Sequence, residues 1–181
     1  VITVSANVAA GSTVALGEAD SFTLAAGGNR VSIDDEADAD ADGLVSDEST
    51  EVVTLGAGAD IVTGSNSIDS ITFTNGGNDN VDLGAADDTV TAADLIAAAD
   101  TLNGGAGNDT LNFGGNNADL TLLTEVTSFE VVEVDGAQTV TVTTANVTDA
   151  GGEITINETG ANAAVTVSAN VAAGSTVTLG E

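Results

Sequence analysis

The sequence predicts an all-β solenoid, and three observations carry that prediction. The first is a beat: an acidic residue followed two positions later by an apolar one recurs as Glu51/Val53, Asp60/Val62, Asp69/Ile71, Asp79/Val81, Asp88/Val90, Asp100/Leu102 and Asp109/Leu111, in steps of 9, 9, 10, 9, 12 and 9 residues. Regular self-similarity of this kind marks repeat architectures. The second is composition. Of 181 residues 42% are apolar, but only four are aromatic and none is Pro, Cys, Met, Trp or Tyr. That is too apolar for a disordered acidic tail and too poor in large side chains for a thick core. A narrow core of small and β-branched residues fits both facts. The third is that the ends match: residues 3–18 reappear as 166–181 with one difference in 16 positions, Ala15 against Thr178, at an offset of 163. The chain reads as a window slightly longer than one period of a tandem array of 163-residue units.

Taken in order, residues 1–33 carry short alternating strands (Ile2–Val4, Val14–Leu16, Phe22–Leu24, Val31–Ile33) separated by small polar and glycine-bearing turns. Residues 34–50 form an acidic insertion. Residues 51–121 hold the periodic array, whose longest step contains Ala92 to Ala99, a stretch suited to one or two helical turns. Short strands return over 122–181 as Phe129–Val134, Thr139–Val142, Ile154–Ile156 and Val165–Val167 at looser spacing. These last strands read as further rungs of the solenoid running into the next unit. An immunoglobulin-like β-sandwich built from them and the next unit's first strands is the alternative.

The clearest copy of the beat is Gly104-Gly105-Ala106-Gly107-Asn108-Asp109-Thr110-Leu111-Asn112. It has the form G-G-x-G-x-D-x-U-x, with U a large apolar residue. Leu55-Gly56-Ala57-Gly58-Ala59-Asp60-Ile61-Val62 is the next best, and Gly114-Gly115-Asn116-Asn117-Ala118-Asp119-Leu120 a degraded copy. The motif resembles the calcium-binding nonapeptide of RTX (repeats-in-toxin) proteins, of the surface-layer or large secreted repeat type. That resemblance implies a parallel β-roll with calcium-binding turns, two nonapeptides to a turn and Ca²⁺ between loops of successive turns. Glu51, Asp69, Asp88 and Asp109 would then form one stack, and Asp60, Asp79, Asp100 and Asp119 the other. Carbonyls of Gly56, Gly58, Gly76, Gly104, Gly105 and Gly107 would complete the oxygen shell a hard cation prefers. The loops at Gly64–Ser67 and Leu83–Ala86 lack the double glycine, and the resemblance makes them weaker sites. At about 18–20 residues per turn a unit would span eight or nine turns, near 40 Å along the axis. Strands of 122–181 also resemble, less closely, the calcium-free rungs of RTX-type surface-layer proteins.

A second calcium candidate lies in the insertion. Asp38, Asp40 and Asp42 followed by Gly43 and Val45 match the first half of an EF-hand loop, but Ser49 stands where the closing bidentate Glu belongs. The segment reads either as an irregular calcium-binding insertion or as a solvated acidic loop.

Charge narrows the partners. With 29 acidic side chains against Arg30 alone the formal charge is −28, so carboxylates lie within a Debye length of about 8 Å and repel. Nucleic acid is excluded as a partner by sign, membrane insertion by the lack of a long apolar run. Divalent cations and neighbouring copies of the same unit remain. With no His, Cys, Lys or Tyr there is no catalytic constellation, and no enzyme is expected. The expectation is a calcium-stabilised structural repeat of an extracellular filament, surface layer or biofilm scaffold. Calcium dependence suits the millimolar calcium found outside cells, and the resemblance implies bacterial type I secretion. The alternatives are a spacer repeat of a large RTX adhesin and an ice-binding solenoid, the latter from threonine runs such as Thr139-Val140-Thr141-Val142-Thr143, which read equally as β-propensity on a solvated face.

Overall fold

The computed structural model describes residues 13–16, 21–23, 30–33, 51–55, 59–73, 77–92, 100–113, 126–134, 139–142, 153–158, 164–167 and 176–180, and the structural statements below concern these. They form sixteen strands: β1 (Thr13–Leu16), β2 (Ser21–Thr23), β3 (Arg30–Ile33), β4 (Glu51–Leu55), β5 (Ile61–Thr63), β6 (Asp69–Phe73), β7 (Asn80–Asp82), β8 (Thr89–Thr91), β9 (Thr101–Asn103), β10 (Thr110–Phe113), β11 (Val126–Thr127), β12 (Val131–Val134), β13 (Thr139–Val142), β14 (Glu153–Glu158), β15 (Ala164–Val167) and β16 (Thr176–Gly180). Odd-numbered strands β1 to β11 make a six-stranded sheet in the order β1-β3-β5-β7-β9-β11. All eight even-numbered strands make the second, in the order β16-β14-β12-β10-β8-β6-β4-β2, and β13 pairs with β15. Every pairing is parallel. The chain thus winds as a coil with one strand on each of two walls per turn, a parallel β-solenoid. Because β12, β14 and β16 extend the same parallel sheet, the antiparallel sandwich considered for the C-terminal strands does not form.

The core follows from strand periodicity. Side chains alternate between faces along a strand, so one or two apolar residues per strand suffice to fill the space between two walls. In the even wall the register aligns Val53, Ile71, Val90, Leu111, Val132 and Ile156 as one column. Each is at most 1% exposed. Two residues on along each strand, Leu55, Phe73, Ala92, Phe113 and Val134 form a second buried column. Opposite them Val62, Val81, Leu102 and Val126 are buried in the odd wall. The residues between alternate outward, as in the half-exposed Thr89 and Thr91 on either side of Val90.

The register also shows how long each coil is. Glu51 pairs with Asp69, Val62 with Val81 and Val90 with Leu111, so coils within the array have nearly the same length. The coil from Phe22 to Val53 is much longer, because the acidic insertion lies in it. Those extra residues enter without shifting the register. Residues 34–50, including Asp38, Asp40 and Asp42, lie outside the described residues, as do 93–99.

Candidate metal centre

Each coil of the array turns from the odd wall to the even wall through a corner that delivers one buried acidic residue just before, or at, the start of the even strand. Asp69 opens β6, Asp88 precedes β8, and Asp109 precedes β10. At the opposite corner Asp60, Asp79 and Asp100 hold the equivalent place before β5, β7 and β9. All six are at most 1% exposed. These are the same two groups that the nonapeptide spacing separates. Glu51 starts β4 in register with Asp69. Gly56, Gly58, Gly76 and Asp119 lie outside the described residues.

The carboxylates connect one coil to the one before. Asp69 N–H donates to Asp88 Oδ1 at 2.7 Å, and Asp88 N–H to Asp109 Oδ1 at 2.8 Å. In the other column Asp60 N–H donates to Asp79 Oδ1, and Asp79 N–H to Asp100 Oδ1, both at 2.8 Å. Main-chain bonds run alongside: Asn80 N–H to the Asp60 carbonyl, Thr101 N–H to that of Asp79, Thr110 N–H to that of Asp88. One oxygen of each of these accepting carboxylates therefore spans the gap between coils. Hydrogen bonds to charged acceptors are worth about 1.5–3 kcal/mol each, so part of the charge is compensated by the backbone itself. Repulsion between stacked carboxylates, the expectation from charge alone, omits this contribution.

The second oxygen is a different matter. Oδ2 of Asp79, Asp88 and Asp109 is buried and accepts no hydrogen bond. Leaving such an atom dry costs about 1–3 kcal/mol, more when charged. Burial accordingly pushes Asp88 from an ordinary 3.8 up to about 8, with neighbouring Asp69, Asp109 and Asp87 adding to the rise and the Asp69 amide opposing it. Asp79 and Asp109 rise to about 6, again chiefly by burial. Asp69 differs locally, since Ser65 N–H donates to its Oδ2 at 3.0 Å.

Main-chain oxygens stand near two of these atoms, Oδ2 of Asp109 and Oδ2 of Asp69. A Cβ placed on Gly104 would fall 2.7 Å from Asp109 Oδ2 and collide with the carbonyl of Ser128 in the following coil. Gly64 stands likewise between Asp69 Oδ2 and the Leu83 carbonyl. The corners stack through Ala85 N–H to the Ser65 carbonyl, Ala106 N–H to the Gly84 carbonyl and Gly104 N–H to the Thr127 carbonyl. Gly105, at φ 97°, lies so close to the Gly84 carbonyl that no side chain fits. Ala86, one coil before Gly107, holds φ 91° without being glycine, a strain of roughly 1–2 kcal/mol.

An all-oxygen donor set with buried, unbonded carboxylate atoms fits a hard cation such as Ca²⁺. The fit has a limit. Among the described residues no three acidic side chains converge on one point, because each corner contributes one buried acidic residue per coil. Main-chain carbonyls have to supply most of any coordination shell. Sequence reasoning missed one member of the column, Glu130, whose Oε2 accepts from Asp109 N–H at 2.8 Å. The interval was its signal, since Glu130 follows Asp109 at the same spacing as Asp109 follows Asp88.

No protein-family model matches the chain, and neither a curated protein nor a solved structure matches it. No helix among the described residues is long and apolar enough to cross a membrane.

Proposed function

We propose that this chain is a calcium-stabilised structural repeat of RTX type, part of a secreted filament, surface layer or biofilm scaffold, with a mechanical rather than an enzymatic role. The observation that carries this reading is the set of buried Oδ2 atoms of Asp79, Asp88 and Asp109, which accept no hydrogen bond and recur at coil corners. A chain whose function needed only the coil would place a neutral side chain there, since each carboxylate costs stability at neutral pH. Bound Ca²⁺ would supply the positive charge and the demand for oxygen ligands that these atoms lack. The chain's own part is to hold one carboxylate oxygen on an amide of the previous coil and to leave the other free for the cation, at Asp109 beside the Ser128 carbonyl.

Extracellular localisation follows from the same chemistry, because sites with one carboxylate per coil suit millimolar calcium. Neighbouring units are the natural partner, since parallel sheets with open ends extend by adding coils. Far-UV circular dichroism through a calcium titration, with a chelator control, tests the reading. Loss of β-structure in chelator and its return with calcium is expected at neutral pH. A fold indifferent to chelation there would sink it.

A further inference from the structure

We infer that successive 163-residue units join head to tail with a half-turn offset about the solenoid axis, and that the outer edge of β16 is the docking surface for the next unit's copy of β3. The inference rests on the tandem-array part of the proposed function and deepens it.

The junction is visible inside one chain. Residues 176–179 of β16 are the second copy of β1, with Thr178 in place of Ala15. β1 lies in the six-stranded wall, where it pairs with β3. Its copy lies in the eight-stranded wall, paired with β14 through Ile154↔Val177, Ile156↔Leu179 and Asn157↔Gly180. The same sequence therefore occupies opposite walls in consecutive units. The pairing order among the described residues agrees: β2 to β16 is seven steps along one wall, and β1 lies half a coil before β2, so a unit is seven and a half coils. Nonapeptide spacing alone gives eight or nine. Some coils that reach beyond the array, such as those from Val31 to Val62 and from Val132 to Ile156, are longer than the coils within it. An odd number of half-coils forces each unit to start on the wall opposite to its predecessor.

The outer edge of β16 carries an apolar core position. Leu179 is the next member of the core column that runs through Val132 and Ile156, yet it is 62% exposed, the one large apolar side chain so exposed among the described residues. Among those residues no strand pairs with the outer edge of β16. The first copy names the strand that fits: β1 pairs with β3 as Val14↔Val31, Ala15↔Ser32 and Leu16↔Ile33. Carried over by one unit, Val177, Thr178 and Leu179 meet the next unit's Val31, Ser32 and Ile33. Gly180 fits the join too, since a Cβ there would strike Asn157 Oδ1, and the first copy carries Gly17 at the same place. One unit then advances about 36 Å, and the walls return to phase only after two units, about 72 Å.

The chain has no cysteine, so a disulfide trap reports the pairing cleanly. The full chain is extended at its C-terminus by the sequence of residues 19–33, with Cys replacing the copy of Ser32. It is paired in one protein with Thr178→Cys and in a second with Thr127→Cys, in β11 of the six-stranded wall. Adjacent parallel strands, about 4.8 Å apart, are within disulfide reach. In saturating calcium the Thr178→Cys protein should oxidise at least about tenfold faster than it does in urea while the Thr127→Cys protein gains no such rate, as strand pairing concentrates the thiols beyond what chain length alone does, and the pairing should protect β16 amides from exchange. A gain of that kind in the Thr127→Cys protein, or closure of both no faster than in urea, overturns the half-turn join. The same proteins in chelator separate the two proposals. A normal calcium response with the wrong cross-link defeats this one alone; the right cross-link with no calcium response defeats the calcium reading alone.

Discussion

Replacing Asp88 by Asn changes one charge and little else, and its effect should reverse sign with calcium. Asn keeps an oxygen to accept the Asp69 amide, so the inter-coil bond survives. In the metal-free coil the carboxyl is raised from 3.8 to about 8. A folded-state value above the unfolded one means that the folded form binds the proton more tightly. Stability is then fully present below about pH 4 and is lost as pH rises toward 8. At pH 7 this amounts to about 4 kcal/mol for Asp88. Asn escapes that loss but brings amide hydrogens into a buried site, at about 1–3 kcal/mol if they find no acceptor. The net expectation in chelator is a gain of about 1–3 kcal/mol. On the calcium reading the variant lacks a carboxylate ligand, so in saturating calcium it should be less stable than the parent. Urea unfolding followed by far-UV circular dichroism at pH 7, with and without calcium, measures both arms. Equal destabilisation in both would refute the reasoning, because it would make Asp88 a hydrogen-bonding residue and nothing more.

Acidification should imitate the metal. With Asp79 and Asp109 near 6 and Asp88 near 8, the chelated parent should gain β-structure as pH falls from 8 to about 5, and a dichroism titration showing loss instead would contradict the sign. Ala86→Gly removes the strain of a non-glycine residue at φ 91° and should raise thermal stability by up to about 1 kcal/mol. Gly105→Ala puts a methyl group against the Gly84 carbonyl at φ 97° and should cost at least about 2 kcal/mol. Leu111→Ala opens the middle of a fully buried column and should cost about 2–5 kcal/mol, visible as a lower urea midpoint at unchanged calcium stoichiometry.

The acidic–apolar beat is legible in the sequence because two local rules produce it. Strand alternation sends Val90 and Leu111 inward two residues after the carboxylates of Asp88 and Asp109, and glycines between strands allow the corner. From that beat follow the all-β solenoid, the partition of the aspartates into two columns and the identity of the core residues. The tertiary structure decided what depends on how coils meet. Which oxygen of Asp88 is held by the Asp69 amide, and which is left buried and unbonded, depends on the offset between neighbouring coils and leaves no trace in composition. Glu130 joins the column because its coil matches the length of the one before, although its neighbourhood carries no glycine motif. The wall on which each copy of Thr-Val-x-Leu falls depends on the parity of strands summed over a whole unit. Coils differ widely in length, as the short one from Val14 to Val31 and the long one from Phe22 to Val53 show. No local pattern therefore reports that parity; only accumulated pairing does.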